Sequence, residues 1–281
     1  MYTTLISTAE LAVALETGSV AVVDCRFSLA DKPAGRRAYS AAHIPGALYA
    51  HLDEDLSAPL AADRAGGRHP LPTPEAFART LSAWGIVNET QIVAYDDGPG
   101  AMAARFWWML RWLGHDAVAV LDGGWAAWQA ENRPVESDVA TIIPAHFVPH
   151  PRPELVVNAD KALQYTASGG ALLIDARAAD RFRGENETID PVGGHIPGAT
   201  NYFYGQNLVD GRFRSREELA QRFQALFGQR PTSEIVHYCG SGVTACHNLL
   251  AMEHAGLGLA RLYPGSWSDW SSDPSRPRAQ G

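Results

Sequence analysis

Short, continuous apolar runs alternate along the chain with amphipathic stretches. Such runs suit parallel strands, which are buried on both faces. We predict six of them as strands: VAVVDCR, TQIVAYDD and AVAVLDGG in the first half, and ALLIDAR, SEIVHYC and LARLYPG in the second. PEAFARTLSAWG and REELAQRFQALFG have helical spacing, with Pro or Ser at the start and Gly at the end. This alternation of strands and helices predicts parallel α/β sheets.

The same pattern occurs twice. VVDCR at 22–26 returns as LIDAR at 173–177, HIPGA at 43–47 returns unchanged at 195–199, IVAYDDGPGAMAAR at 92–105 aligns with IVHYCGSGVTACHN at 235–248, and LDGGWAAW at 121–128 aligns with YPGSWSDW at 263–270. Four matches in one order predict two copies of one domain. Residues 131–153 hold five prolines, which break regular elements. We therefore predict an N-terminal domain over 1–133, a linker over 134–153 and a C-terminal domain over 154–281.

Composition narrows the class of protein. With 46% hydrophobic residues among 281, the chain can bury a core in each domain. Its formal net charge of −8 disfavours non-specific nucleic-acid binding, which needs dense lysine and arginine. No apolar run reaches the roughly 18 residues of a membrane-spanning helix. The first residues also lack the basic start and the apolar core of a secretory signal. We expect a cytoplasmic protein that binds neither nucleic acid nor membrane.

Three cysteines, Cys25, Cys239 and Cys246, are too few for a disulfide framework, and no CxxC pair indicates a structural zinc site. Cys239 differs from the other two because it follows the strand EIVHY and opens the glycine-rich segment CGSGVTA, which leads into a helix. Ligands of parallel sheets bind beyond the carboxyl ends of the strands. The glycines allow successive N–H groups to curl toward the sulfur as an anion nest, which favours the thiolate. A buried structural thiol is the alternative, and it is the favoured interpretation of Cys25 and Cys246.

The first copy carries an acid where the second carries the cysteine. Asp96 aligns with Cys239, so we predict that the N-terminal domain is catalytically silent. Gly98 and Gly100 persist in its loop, but Pro99 has no N–H, which predicts a poorer anion nest. An independent carboxylate catalyst is the alternative, although an aspartate at a tight turn is ordinarily structural.

The duplicated VVDCR/LIDAR, HIPGA and GGW/GSW segments, with CGSGVTA in the second copy only, resemble the two-domain rhodanese-type sulfurtransferases. The resemblance covers nearly the whole chain and implies two tandem rhodanese-like three-layer α/β/α domains, each with a mainly parallel sheet, and an active site at their interface. It implies that a Cys239 persulfide carries a sulfane sulfur from thiosulfate or 3-mercaptopyruvate to a thiophilic acceptor: cyanide, a thiol or thioredoxin. It implies no metal and no organic cofactor, and we expect a monomer.

The resemblance also assigns roles around the cysteine. The backbone of the loop would hold the outer sulfur, through Gly240, Ser241, Gly242, Val243 and Thr244. Arg181 matches an arginine that binds the donor anion, and Asp175 would orient the loop or Arg181. On the residues alone, a solvated arginine at the start of a helix is the preferred interpretation of Arg181. For Asp175, an aspartate that caps the next turn fits equally well.

The donor and two other function classes stay open at this stage. CGSGVTA resembles the 3-mercaptopyruvate branch, but Asp190 stands where that branch has a second arginine. A phosphatase of this fold would need arginine six positions after Cys239 to hold phosphate, and that position is Ala245. A non-catalytic sulfur carrier or interaction module is the other alternative, which the intact cysteine loop disfavours.

Overall fold

The computed structural model describes residues 1–62 and 64–281, which form two compact units. The first unit comprises Met1–Ala58, Pro72–Arg152 and Asp210–Arg212. The second comprises Pro59–Leu71, Pro153–Val209 and Phe213–Gly281. Pro59–Leu71 thus belongs to the second unit, although its sequence lies well inside the first repeat.

The first unit contains one parallel sheet and five helices. Its strands are β1 (Leu5–Ile6), β2 (Val20–Asp24), β3 (Leu48–Tyr49), β4 (Gln91–Tyr95) and β5 (Val118–Leu121). Its helices are α1 (Thr8–Glu16), α2 (Ala34–Ala41), α3 (Pro74–Ala83), α4 (Ala101–Trp112) and α5 (Gly124–Ala130). The strand order is β1-β5-β4-β2-β3, and each neighbouring pair is parallel. Trp125 and Trp128 are buried in the core of this unit.

The second unit repeats this plan. Its strands are β6 (Leu172–Asp175), β7 (Thr200–Asn201), β8 (Leu208–Val209), β9 (Arg212–Phe213, whose first residue belongs to the first unit), β10 (Ile235–Tyr238) and β11 (Arg261–Leu262). Its helices are α6 (Ala159–Ser168), α7 (Ala179–Arg183), α8 (Arg216–Phe227), α9 (Ala245–His254) and α10 (Ser266–Trp270), with 3-10 turns at Pro153–Leu155, Tyr204–Asn207 and Thr232–Glu234. The parallel order β11-β10-β6-β7 matches β5-β4-β2-β3 of the first unit.

Helix α8 shows how the sequence pattern produces an element. Ser215 and Glu218 form a capping box that satisfies N–H groups at its start. Leu219, Phe223 and Phe227 recur every four residues and are its buried side chains. Burying an apolar side chain of this size stabilises the fold by about 1.5–3 kcal/mol, so packing of this face outweighs intrinsic helix propensity.

The parallel register places the functional residues at one edge of each sheet. Tyr238 pairs with Asp175 at the ends of β10 and β6, and Tyr95 pairs with Asp24 at the ends of β4 and β2. The predicted parallel α/β architecture is therefore confirmed. Among the helices of the described residues, none is long and apolar enough to cross a membrane.

Candidate active site

Cys239 lies one residue beyond β10 and is 1% exposed. Its N–H donates to Ser266 Oγ at 3.0 Å, and its carbonyl accepts from the Trp267 N–H at 3.0 Å. Gly242 has φ of +73°, and a Cβ there would lie 2.3 Å from the Pro264 carbonyl oxygen. Only glycine fits this bend, so the loop is held closely against the chain that leads into α10.

The five residues predicted to cradle the sulfur form the bend between Cys239 and α9. Thr244 is the N-cap of α9 and is half-buried, whereas the other four are buried. The Ser241 hydroxyl is hydrogen-bonded to His69 Nδ1 at 2.8 Å, and both side chains are buried. Sequence reasoning missed His69, because it lies 172 residues before its partner and on no predicted element.

Two guanidinium groups lie beside the residue that follows the cysteine. A Cβ on Gly240 would lie 3.6 Å from Nη2 of Arg181 and 3.0 Å from Nη2 of Arg68. Arg181 Nε and Nη2 donate to the Glu187 carboxylate at 2.8–3.1 Å. Arg68 Nη1 forms an ion pair with Asp190, whose other oxygen lies 3.6 Å from Arg181 Nη2. Arg68 and Glu187 were not predicted as parts of this site.

Asp175 reaches Arg181 through two other side chains. Its carboxylate accepts from Arg177 Nη2 at 2.7 Å and from Arg177 Nε at 3.1 Å. Arg177 Nη1 donates to Glu187 at 3.2 Å, and Glu187 also holds Arg181. Burial alone would raise the pKa of Glu187, but hydrogen bonds from Arg181 and from two backbone N–H groups hold it below its ordinary value. The predicted supporting role of Asp175 stays a prediction.

The corresponding loop of the first unit holds an anion of its own. Four backbone N–H groups donate to the Asp96 carboxylate: those of Gly98 and Gly100 at 3.0 Å, Met102 at 2.8 Å and Ala103 at 3.1 Å. Burial raises the pKa of Asp96, and the four hydrogen bonds oppose that shift. None of the four donors is Pro99: Gly98 and Gly100 lie in the loop, and Met102 and Ala103 lie in the first turn of α4. That Pro99 weakens the hold of this loop on a persulfide stays a prediction.

The other two cysteines lie in packed surroundings. Cys25 is 1% exposed, and burial together with the nearby Asp24, Asp96 and Asp55 raises the pKa of its thiol well above the ordinary value. Cys246 lies inside α9, where its thiol donates to the Gly242 carbonyl at 3.3 Å. Across the described residues, no cluster of three or more His, Cys, Asp or Glu side chains is arranged to hold a metal ion.

The chain is similar to known proteins over nearly its whole length. The rhodanese-like domain family matches residues 7–131 and 158–273. A Pseudomonas aeruginosa protein named "Probable 3-mercaptopyruvate sulfurtransferase" is 50% identical over 281 residues, covering 99% of this chain and 98% of that protein. The thiosulfate sulfurtransferase of Bos taurus is 34% identical over 282 residues, covering 96% and 92%. The solved structure of 3-mercaptopyruvate sulfurtransferase from Leishmania major superposes with a TM-score of 0.83 at 34% identity, covering 95% and 74%.

These matches confirm the fold class and the family that the duplicated motifs predicted. They imply a sulfur donor and a sulfur acceptor as substrates. With two copies of the domain and close relatives of this activity, the chain belongs to the two-domain rhodanese-type sulfurtransferases.

Proposed function

We propose that the chain transfers a sulfane sulfur from thiosulfate or 3-mercaptopyruvate to a thiophilic acceptor through a persulfide on Cys239. The observation that carries the proposal is the position of Cys239 at the tip of β10, at the start of the bend that leads into α9. Two arginines lie next to that bend, beside Gly240. A thiolate there would have N–H donors on one side and cations for an anionic donor on the other.

The first half-reaction loads the cysteine. The Cys239 thiolate attacks the outer sulfur of the donor and forms a sulfur–sulfur bond. With thiosulfate, the original sulfur–sulfur bond breaks and its electron pair leaves with sulfite. With 3-mercaptopyruvate, the carbon–sulfur bond breaks, and the pyruvate enolate that leaves takes up a proton to become pyruvate. The N–H groups of residues 240–244 would stabilise the outer persulfide sulfur, which carries the negative charge.

The second half-reaction removes the outer sulfur. An acceptor nucleophile such as cyanide, a small thiol or thioredoxin attacks that sulfur, and the electron pair of the persulfide bond returns to Cys239 as thiolate. No oxidant is needed, because the sulfur moves without a net change in the enzyme. The monomeric state and the cytoplasmic location stay predictions from the sequence.

Residues around the loop bear on both donors. The Ser241 hydroxyl, hydrogen-bonded to His69, lies within the loop and could supply or relay the proton that the pyruvate enolate needs. Asp190 stands where the 3-mercaptopyruvate branch has a second arginine, which leaves thiosulfate as a donor. Relatives of this chain carry the names of both activities. Both donors therefore belong to the proposal.

The test follows sulfur loading directly. Wild-type protein treated with either donor should gain the mass of one sulfur atom on Cys239, and dithiothreitol should remove it. Cys239→Ser should abolish loading and turnover, whereas the matched control Cys246→Ser should keep most activity. Steady-state kcat/KM for both donors with one acceptor then ranks them. Loading on Cys25 or Cys246 in place of Cys239 would refute the proposed site.

A further inference from the structure

We propose that Arg68 binds the anionic end of the sulfur donor together with Arg181, and that Asp190 sets the spacing of the two guanidinium groups. The proposal rests on the proposed function, because it needs an anionic donor at Cys239. It makes Arg68 a second cation for a donor with a carboxylate or thiosulfonate group. Three features of the structure support it.

The first feature is the turn that presents Arg68. Its N–H donates to Ser268 Oγ at 3.0 Å, and the preceding Gly66 N–H donates to Asp269 at 3.3 Å. Gly67 has φ of +77°, and a Cβ there would lie 2.4 Å from the Gly265 carbonyl oxygen. These contacts fix the turn against α10. That helix begins at Ser266, whose hydroxyl accepts the Cys239 N–H. Arg68 is held relative to the cysteine by these contacts rather than carried on a free loop.

The second feature is the side of Arg68 that is left for a ligand. Nη1 pairs with Asp190, while Nη2 lies 3.0 Å from the point where a Gly240 Cβ would be. The buried Nε has no hydrogen-bond partner among the described residues. Nε and Nη2 share the edge of the guanidinium that binds carboxylates in bidentate fashion. Buried N–H donors are normally hydrogen-bonded, and an anion bound beside Gly240 would be an acceptor for Arg68 Nε.

The third feature is the arrangement of Asp190 between two cations. Its side chain is 2% exposed, with one oxygen on Arg68 and the other 3.6 Å from Arg181 Nη2. Its N–H donates to Glu187 at 3.0 Å, so the carboxylate is fixed from the main chain as well. Arg181 uses Nε and Nη2 on Glu187, while its Nη1 lies 3.8 Å from the Gly240 Cβ position. Asp190 is therefore a positioning residue that holds two arginines at one donor site.

The presence of Arg68 also explains why an acid at position 190 is compatible with binding an anion. An arginine there would be a third cation beside the partly buried Arg68 and Arg181, and the structure would lose the carboxylate that pairs with both. The second arginine of the site comes instead from the turn at 66–68, which lies 122 residues earlier than Asp190.

The main test separates the two half-reactions. Arg68→Ala should lower kcat/KM for loading by either donor roughly ten- to a hundred-fold, the usual effect of losing a charge-assisted contact. Discharge of a preloaded persulfide to dithiothreitol should stay within about twofold, because dithiothreitol has no carboxylate or sulfonate group for Arg68 to bind. Arg183→Ala is the matched control: it removes an exposed arginine of α7 that pairs with Glu185, and both half-reactions should be unchanged.

Binding gives a readout that needs no turnover. Pyruvate, used as a competitive inhibitor of loading by thiosulfate, should inhibit Arg68→Ala at least tenfold more weakly than wild type. If Arg68→Ala does not fold, Arg68→Lys keeps the charge and removes the bidentate edge. Its KM for 3-mercaptopyruvate should rise roughly three- to tenfold with kcat unchanged, as for a contact made equally in ground and transition states.

The possible results distinguish this inference from the proposed function. If the wild-type protein loads sulfur, and Arg68→Ala shows the same loading rate and the same inhibition by pyruvate, the proposed role of Arg68 is overturned. The Cys239 mechanism then still stands. An unchanged KM in Arg68→Lys would do the same if Arg68→Ala does not fold. Failure of the wild-type protein to load sulfur from either donor would instead overturn the proposed function itself.

Discussion

The loops after β4 and β10 begin alike but differ in what occupies the anion site. In the first unit the Asp96 carboxylate accepts four backbone N–H groups at 2.8–3.1 Å. Its oxygens lie two bonds beyond Cβ, and the outer sulfur of a cysteine persulfide also lies two bonds beyond Cβ. Asp96 therefore resembles a permanently loaded Cys239. The comparison teaches that the turn after β4 presents four N–H donors to an atom at that distance. We expect the turn after β10 to do the same for the outer sulfur of a Cys239 persulfide.

The two units also share one ion pair and then diverge. Asp24 with Arg26 and Asp175 with Arg177 repeat the same short contact of 2.7 Å, and each arginine lies over a tryptophan ring. In the first unit, the next charged partner of Arg26 is the exposed Asp97, with Arg26 Nη1 3.8 Å from Asp97 Oδ1. In the second unit, the series of alternating charges continues as far as the loop, through Glu187, Arg181, Asp190 and Arg68. The strand-to-helix turn is common to both copies, whereas the arginine pair beside it, Arg68 and Arg181, belongs to the second.

The strongest way to break this comparison is to move the cysteine. In Asp96→Cys with Cys239→Ser, the new cysteine lies at the start of the loop whose N–H donors hold Asp96 in the wild type, but the arginine pair is missing. Losing two charge-assisted contacts should reduce kcat/KM for loading by roughly a hundredfold or more relative to wild type. Mass measurement after donor treatment, with Cys239→Ser alone as the control, reports loading at position 96. Loading within tenfold of wild type would show that the nest suffices and that the arginines do not separate the two copies.

A second variant tests whether the first nest is structural. Asp96→Ala would leave four N–H groups without their acceptor, of which those of Gly100 and Ala103 are buried. It should lower the free energy of unfolding by about 3 kcal/mol. Cys239→Ser, at the equivalent position, should change it by less than about 1 kcal/mol while abolishing transfer. Urea unfolding of both variants measures the difference, and Asp96→Asn, which keeps one acceptor oxygen, should be intermediate. An Asp96→Ala protein as stable as wild type would contradict the comparison.

The parts of the site that the sequence predicted are those encoded locally. The runs VVDCR and IVHYC predict parallel strands because both faces are buried, and a cysteine at a strand tip before glycines predicts a nest whatever the rest of the chain does. The repeat also allowed Asp96 to be aligned with Cys239. What the alignment did not reveal is that the Asp96 side chain fills its own nest, since that depends on the path of the backbone and not on residue types.

The parts that were missed depend on distant packing. Arg68 and His69 belong to a turn with no strand or helix pattern, and the fold alone places them beside Gly240 and Ser241. Glu187 was missed for a different reason, since an acidic residue in a polar segment is normally solvated. Here its side chain is 3% exposed and connects Arg177 to Arg181. Predicting these partners requires the contacts between segments, which no single stretch of sequence contains.

The smallest expected effect concerns Ser266, whose hydroxyl accepts the Cys239 N–H. Ser266 has φ of +56°, a left-handed conformation that costs a serine about 1 kcal/mol or more, and its counterpart Gly124 has the same φ at no such cost. The Ser266 hydroxyl accepts a hydrogen bond from the Cys239 N–H and donates one to the Tyr263 carbonyl. Ser266→Gly should relieve the strain and remove the hydroxyl, so the free energy of unfolding should stay within about 1 kcal/mol of wild type. Loading of Cys239 should fall roughly three- to tenfold, because the peptide that carries the nucleophile loses a fixed partner.

Ser266→Ala separates strain from hydrogen bonding. It keeps the unfavourable φ and loses the hydroxyl, so it should unfold about 1 kcal/mol more easily than Ser266→Gly while showing the same loss of loading. Comparing urea midpoints and loading rates of the two variants with wild type gives both quantities. If Ser266→Gly loads as fast as wild type, the hydroxyl does not position Cys239. The difference between Ser266 and Gly124 then has no bearing on the reactivity predicted for the second loop.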